Sequence, residues 1–222
     1  MMSARSNTSK REGMPSRTKW LFTALIGLLV FNVAVLVALQ TAVRSSRVAI
    51  SGQGITTGIA DVGGPFSLMT ADGKAVTDRS FRGKWMAVYF GYTFCPDACP
   101  TALGNMSIAL EKLGKDAEKI QPLFITVDPE RDTRQVMAAY LESFDRRITG
   151  LVGTPAQTGA VAKAYRVYFK LHKEQGSNYL VDHSAYFYLM DPAGKFVDVV
   201  EGATPGDQIA NKLRSLIDEH SI

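Results

Sequence analysis

The sequence predicts an α/β domain, a mixed β-sheet flanked by helices, preceded by one N-terminal transmembrane helix. Three observations support this. After residue 64, short apolar runs alternate with amphipathic segments of helical periodicity. The last third of the chain adds a β-hairpin pattern and a helical segment. An uncharged apolar run precedes the domain at residues 20–43. The alternation of strands and helices is typical of sheets that bury both faces.

The first half of the domain is predicted to contain a hairpin and two strand–helix units. The hairpin turns at Asp72-Gly73, a dipeptide typical of tight turns. The first long strand, WMAVYFGY, is apolar enough to be buried on both faces. The predicted bounds are 65–78 for the hairpin, 85–92 and 122–127 for the strands, and 100–114 and 133–144 for the helices.

The second half is predicted to end in a hairpin and a helix. Its hairpin strands, SAYFYLMD and KFVDVVEG, are separated by a turn at residues 192–195. The predicted elements are a strand at 148–152, a helix at 155–165, a strand at 167–171, the hairpin strands at 184–191 and 195–202, and a helix at 206–219. This order indicates a thioredoxin-like architecture with a mixed sheet.

The charge distribution argues against nucleic-acid binding. The net charge is +4, and residues 1–43 carry five basic side chains and one acid, which already sum to +4. The other 20 basic and 20 acidic residues cancel. A nucleic-acid interface needs basic residues gathered on a folded surface. The domain is neutral overall, so no nucleic acid is expected as a partner.

Residues 20–43 are predicted to cross a membrane. They carry no charge, and about 20 apolar residues suffice to span a bilayer as a helix. A cleaved signal peptide is the alternative, but its apolar region is normally shorter. Five basic residues precede the span and two, Arg44 and Arg47, follow it, which favours a cytoplasmic tail at 1–19. The domain then lies in an extracytoplasmic space.

Residues 44–63 are predicted to be a flexible linker to a domain at 64–222. The linker is mostly small or polar and contains several glycines. Outside the cytosol, a free thiol pair becomes a disulfide unless a reductant or a metal prevents it. The compartment of the domain therefore influences whether its cysteines are thiols, a disulfide or metal ligands.

Cys95 and Cys99 are the two cysteines of the chain. They follow strand 85–92, and Cys99 is expected at or near the N-terminus of the next helix. Unpaired N–H groups and the helix dipole stabilise a thiolate there. Both sulfurs are expected at the carboxyl edge of the sheet, where α/β proteins place their sites.

The spacing of the cysteines leaves two functional interpretations. A structural disulfide is disfavoured, because closing so small a loop restricts the unfolded chain little. A thiol–disulfide oxidoreductase normally has two residues between its cysteines, although a wider loop does not forbid exchange. A metal site needs a further ligand, and two thiolates with an imidazole select copper or zinc. A structural zinc site usually has four protein ligands.

Of the three histidines, His183 is the favoured third ligand. His220 lies at the C-terminal end, and His172 begins a polar stretch typical of a solvated loop. His183 directly precedes a strand that in a thioredoxin-like fold starts beside the cysteine loop. Thioredoxins place a cis-proline there, whereas this chain has no proline between Pro155 and Pro192.

Four aspartates near these positions have predicted roles. Asp182 is a candidate for orienting His183, although adjacent residues often face apart. Asp97 either influences the sulfurs electrostatically or faces water. Asp128 and Asp132 are expected to serve the helix at 133–144, with Asp132 or Thr133 at its N-cap. A role in docking a partner is the alternative for these two residues.

Four stretches together resemble the Sco/SenC family: GYTFCPDACPT, TVDPERDT, DHSAYFYLMDPAGKF and the segment from Gly63 through FGYTFCP. The resemblance covers about residues 63–220 and includes the preceding anchor. Members of this family are membrane-anchored, thioredoxin-like copper proteins that assist cytochrome c oxidase assembly. A thioredoxin-like copper-binding domain at 64–222 is what the resemblance implies.

The resemblance implies a metal site and a partner. Cys95, Cys99 and His183 would bind copper, as Cu(I) or Cu(II), and deliver it to the binuclear copper centre of cytochrome c oxidase subunit II. Cys95 and Cys99 would form a redox-active disulfide when oxidised, and thiol–disulfide exchange with the cysteines of subunit II is the alternative function. Other copper chaperones or thiol reductases are further expected partners.

The resemblance and the charge pattern together set the expected location. A single-pass protein of the bacterial inner membrane, with its C-terminal domain in the periplasm, fits both. The mitochondrial inner membrane, with the domain facing the intermembrane space, is the alternative.

Overall fold

The computed structural model describes residue 28, residues 31–36 and residues 62–220. Residue 28 and residues 31–36 are helical and exposed. The rest of the predicted anchor, the tail at 1–19 and residues 44–61 of the predicted linker lie outside the described residues. Within the described ranges, no helix combines the length and apolar character that crossing a bilayer requires.

Residues 62–220 are built around a mixed seven-stranded sheet. Its strand order is β2-β1-β5-β4-β3-β8-β9, with β6 and β7 in a second, two-stranded sheet. The strands are β1 (Ser67–Thr70), β2 (Ala75–Thr77), β3 (Trp85–Gly91), β4 (Ile120–Thr126), β5 (Thr149–Val152), β6 (Phe169–Leu171), β7 (Val181–His183), β8 (Tyr186–Met190) and β9 (Phe196–Glu201). β3, β4 and β5 are parallel, and β1 and β8 join them antiparallel. The predicted mixed sheet is confirmed.

The central strand β3 is buried along its whole length, as its apolar sequence predicts. On one face, the ring of Tyr89 contacts Phe124 and Phe187 from the two neighbouring strands. On the other face, Phe90 contacts Tyr165 and Tyr188. Because successive side chains of a strand point to opposite faces, both layers need apolar residues.

Four α-helices flank the sheet: α1 (Ala98–Leu113), α2 (Arg134–Leu141), α3 (Pro155–Ala164) and α4 (Gly206–Glu219). Helix α1 begins two residues before the predicted start, which makes Cys99 its second residue. The hydroxyls of Thr133 and Thr154 accept N–H groups at the starts of α2 and α3. The predicted sheet flanked by helices is therefore confirmed.

The two-stranded sheet is the main difference from the predicted topology. β6 matches the predicted strand at 167–171, but its antiparallel partner is β7, where Phe169 lies opposite His183. β7 was not predicted: His183 was expected directly before the strand at 184–191, and it instead ends a short strand of its own. A strand of three residues that contains the exposed Asp182 has too little apolar pattern to be recognised.

Candidate metal centre

Three metal-ligating side chains meet beyond the carboxyl end of β3. The donor atoms of Cys95, Cys99 and His183 all lie within 4.8 Å of one another. Cys99 Sγ is 3.5 Å from His183 Nε2. Across the described part of the chain, no other three such side chains are grouped in this way. The structure thus brings together the three residues that the sequence singles out.

The loop from β3 into α1 sets the two sulfurs at different depths. The Cys95 N–H donates to the Tyr92 carbonyl at 3.2 Å, which turns the chain before the helix. Cys95 is half-buried, and Cys99 is fully buried against the core. The N–H of Cys99 points at Cys95 Sγ, 3.4 Å away. Cys95 therefore sits at the N-terminal end of α1, and Cys99 lies beneath it.

The two thiols have opposite pKa shifts. A hydrogen bond from the Cys99 thiol is the largest influence that lowers the pKa of Cys95, and the backbone N–H groups of Asp97 and Cys99 act in the same direction. The pKa of Cys99 is raised, because its proton is shared with Cys95 and because it is buried. Cys95 therefore carries the negative charge and Cys99 keeps its proton. The expectation of a thiolate at Cys99 is wrong, because the helix N-terminus faces the other sulfur.

This charge distribution has a measurable consequence for alkylation. A lowered pKa keeps Cys95 deprotonated as the pH falls, so its reaction with iodoacetamide should stay nearly constant from about pH 8 to about pH 5. An unperturbed thiol slows about tenfold per pH unit below its pKa. In Cys99→Ala the hydrogen-bond donor is lost, and the profile should move to higher pH. A tenfold-per-unit decline in the reduced wild-type protein from pH 8 downwards would contradict this charge distribution.

The ring of His183 is held with one nitrogen towards the sulfurs. Its Nδ1 lies 3.2 Å from the carbonyl oxygen of Ser184, which can only accept, so the proton resides on Nδ1. The lone pair of Nε2 then faces Cys99. Tyr89 and Tyr92 meet the ring edge-on, with centroids 6.1 and 5.9 Å away. This is the tautomer that a metal ligand needs.

Asp182 does not orient His183, contrary to the candidate role suggested by the sequence. Its carboxylate lies 2.8 Å from Nε2 of His172, because successive residues of β7 face opposite sides. Glu174 lies 3.1 Å from the other ring nitrogen of His172, and Asp182 and Glu174 raise the pKa of that histidine. His220 packs edge-on against Trp85. Neither His172 nor His220 belongs to the group around the sulfurs.

Asp132 fixes the start of the cysteine loop, a role that no local pattern in the sequence indicates. It is 1% exposed, and its carboxylate accepts the hydroxyl of Thr93 at 2.6 Å and the backbone N–H of Thr93 at 3.1 Å. It also accepts the hydroxyl of Thr126, at the end of β4, at 2.6 Å. Burial raises the pKa of Asp132, against the effect of these donors. Of the two residues predicted for the N-cap of α2, Asp132 and Thr133, it is Thr133 that occupies this position.

Gly91 permits the close packing beneath the site. A Cβ atom at this position would lie 2.6 Å from Cys99 Sγ and 2.7 Å from Cε2 of Phe124. Both distances are shorter than side chains tolerate, so only glycine allows Cys99 to sit against the end of β3. The sequence signal for this role is a glycine at the end of an otherwise apolar strand.

The donor set suits a soft metal ion. Two cysteine sulfurs and one imidazole nitrogen favour copper or zinc over hard cations, and three donors leave a position for a fourth ligand. An open groove of about 500 Å³ borders His183. Asp97 lines this groove as an exposed residue, together with Tyr186 and Glu201. An incoming ligand therefore has access from the histidine side.

Comparison with known proteins identifies the family. The SCO1/SenC family model matches residues 55–218. The Arabidopsis thaliana SCO1 homolog 1, a mitochondrial protein, is 43% identical over 156 residues, 70% of this chain and 46% of that protein. Sco1 of Schizosaccharomyces pombe is 43% identical over 164 residues, 72% of this chain and 62% of that protein. The matched region thus spans about half to three-fifths of these relatives.

Solved structures share the fold. Bradyrhizobium japonicum ScoI with copper bound aligns with a TM-score of 0.66 and 46% identity, covering 69% of this chain and 98% of that one. BsSco, a member of the Sco family of cytochrome c oxidase assembly proteins in which a disulfide switch was identified, aligns with a TM-score of 0.59 and 25% identity, covering 73% and 97%. These matches agree with the predicted architecture. The chain belongs to the SCO1/SenC family.

Proposed function

We propose that this chain binds copper through Cys95, Cys99 and His183 and delivers it to the binuclear copper centre of cytochrome c oxidase subunit II. The observation that carries the proposal is the grouping of two sulfurs and one imidazole nitrogen within 4.8 Å at the edge of the sheet. The copper-bound structure of ScoI from Bradyrhizobium japonicum, 46% identical, supports the choice of copper over zinc.

The site is suited to transfer as well as to binding. Cys99 is fully buried, whereas Cys95 is half-buried and His183 borders an open groove. A partner's cysteine or histidine can therefore replace these ligands one at a time from the exposed side. The raised pKa of Cys99 means that binding releases its proton, so copper affinity weakens as the pH falls.

The partner and location are parts of the same proposal. BsSco belongs to a family of cytochrome c oxidase assembly proteins, which supports the oxidase as the recipient. Other copper chaperones or thiol reductases would load or reduce the site. Residues 20–43 would anchor the chain, with residues 1–19 cytoplasmic, residues 44–63 as a linker and the domain at 64–222 in the periplasm. The relatives named as mitochondrial proteins support the intermembrane space as the alternative.

A thiol–disulfide oxidoreductase is the second candidate function. Cys95 is a half-buried thiolate in hydrogen-bonding contact with the thiol of Cys99, which is the arrangement of an attacking and a resolving cysteine. The disulfide switch identified in BsSco supports this alternative. Oxidation of the two thiols would also remove both sulfur ligands, which couples copper loading to redox state.

Copper titration of His183→Ala tests the proposal. The reduced full chain should bind one Cu(I). Loss of a residue that only supports a metal ligand lowers affinity by about 10- to 100-fold, so His183→Ala, which removes a ligand itself, should lower Cu(I) affinity by more than that. His172→Ala is the matched control, since His172 faces away from the sulfurs, and should bind copper as the wild type does. Disulfide exchange should persist in both variants. If His183→Ala keeps its copper but loses disulfide exchange, delivery of copper is the wrong function.

A further inference from the structure

The strand that carries His183 belongs to a different sheet from the strand that leads to the cysteines. Within the described residues, β7 pairs with β6 alone. We call residues 169–183 the histidine hairpin. No backbone ladder joins the histidine hairpin to β3 directly. The chain ties His183 to the main sheet three residues later, where β8 begins and pairs with β3. Side-chain contacts between the histidine hairpin and the cysteine loop then add to what sets the distance from His183 to the two sulfurs.

Arg131 lies between the histidine hairpin and the cysteine loop. Its guanidinium carbon is 3.6 Å from the ring centroid of Tyr179, four residues before His183. The same carbon is 4.8 Å from the ring centroid of Phe94, the residue before Cys95. The Arg131 side chain is only 15% exposed, and cation–π attraction strengthens as the cation loses water. One cation therefore contacts an aromatic ring on each ligand-bearing segment.

Asp128 orients the guanidinium and the Tyr179 ring together. Its carboxylate is 0% exposed, with one oxygen bound to Nε of Arg131 and the other accepting the Tyr179 hydroxyl at 2.6 Å. A further bond joins the two segments directly, from the N–H of Val181 to the hydroxyl of Tyr92 at 3.3 Å. The cysteine loop has its own attachment through Asp132, so loss of Arg131 releases mainly the histidine hairpin.

We propose that Arg131 is a positioning residue of the metal centre, which holds His183 within bonding reach of Cys95 and Cys99 by fixing Tyr179 of the histidine hairpin. Arginine suits this role because its planar guanidinium stacks on rings while Nε binds a carboxylate, and lysine offers neither geometry. The expected effect of Arg131 on copper affinity rests on the proposed function. The expected effect of Arg131 on the histidine hairpin in the copper-free protein does not.

A double-mutant cycle between Arg131 and His183 tests the effect on copper. In the reduced full chain, Arg131→Met should lower Cu(I) affinity by about 10- to 100-fold, measured by competition with a chromogenic chelator. Arg131→Lys should lose nearly as much despite keeping its charge. In the His183→Ala background, Arg131→Met should cause no further loss, since Arg131 acts through the histidine.

Arg147→Met is the matched control for the cycle. Arg147 also pairs with an aspartate, Asp145, at 2.6 Å, but contacts none of the three ligands. This variant should bind copper as the wild type does. Equal Cu(I) affinities in Arg131→Met and Arg147→Met would overturn the inference. It would also be overturned if Arg131→Met lowered Cu(I) affinity by the same factor in the wild-type and the His183→Ala backgrounds.

Amide hydrogen exchange in the copper-free protein separates this inference from the proposed function. Arg131→Met and Arg131→Lys should speed exchange at residues 179–183 by about 10-fold or more and leave β3 unchanged. Arg147→Met should not affect residues 179–183. Exchange that stays as slow as in the wild type, or that rises equally in β3, would overturn the inference. If the wild-type protein binds no copper, the proposed function is refuted. The exchange measurement in the copper-free protein would then still test whether Arg131 holds the histidine hairpin.

Discussion

Gly91→Ala is expected to push Cys99 out of position and to weaken copper binding severely. The new methyl group would lie 2.6 Å from Cys99 Sγ and 2.7 Å from the Phe124 ring, both of which are enclosed by the core. Overpacking of this kind costs about 1–3 kcal/mol, and the buried surroundings place this substitution at about 3 kcal/mol. Thermal unfolding of the apo protein and Cu(I) competition of the reduced protein measure the two effects.

Gly104→Ala is the matched control for that substitution. Gly104 lies inside α1, and a Cβ there would meet nothing within 4 Å. Alanine in a helix interior is favoured over glycine by about 0.5–1 kcal/mol, so this variant should be slightly more stable and bind copper normally. Wild-type copper affinity in Gly91→Ala would show that Cys99 does not need its observed place against the strand.

Asp132→Ala is expected to destabilise the domain by about 3 kcal/mol or more. It removes the acceptor of the Thr93 N–H and of two hydroxyls, those of Thr93 and Thr126, at a position that is 1% exposed. Buried donors that lose a charged acceptor each cost about 1–3 kcal/mol. For a domain of this size, a loss of about 3 kcal/mol lowers Tm by about 6–12 °C. Calorimetry on the apo protein measures the shift.

The same substitution should also affect the cysteine loop. Thr93 lies two residues before Cys95, so a released loop should expose the thiolate and accelerate its alkylation at neutral pH. Asp132→Asn, which keeps one carbonyl acceptor, should fall between the wild type and the alanine variant. Asp116→Ala, at an exposed carboxylate paired with Lys119, should leave Tm unchanged. If Asp132→Ala unfolds at the wild-type temperature, the three bonds to its carboxylate contribute nothing to stability.

The order of elements in the main sheet could be predicted because each strand carries a local pattern. The buried run at 85–92 and the turn at Asp72-Gly73 appear in the structure within one or two residues of their predicted bounds. β7 could not be predicted, because three residues with one exposed acid contain no usable periodicity. Its pairing with β6 depends on chain that lies ten residues or more away in sequence.

The candidate site was predictable in its chemistry and only partly in its geometry. The scarcity of thiols and histidines in this chain reduced the choice of ligands to a few residues. The assignment of charge was wrong for Cys99, because a helix boundary shifted by two residues puts Cys95 at the helix N-terminus. The partner of Asp182 was wrong as well, because strand β7 turns that side chain towards His172.

The sequence by itself determined the ligand types, their order along the chain and the strand that ends beside them, since these follow from residue identity and local periodicity. Only the tertiary structure decided that Asp132 holds the cysteine loop, that Asp128 binds Tyr179 and Arg131, and that Gly91 admits Cys99. These contacts join segments separated by up to 51 residues. A buried carboxylate takes whichever donors the fold brings to it, and no local pattern records which donors those are.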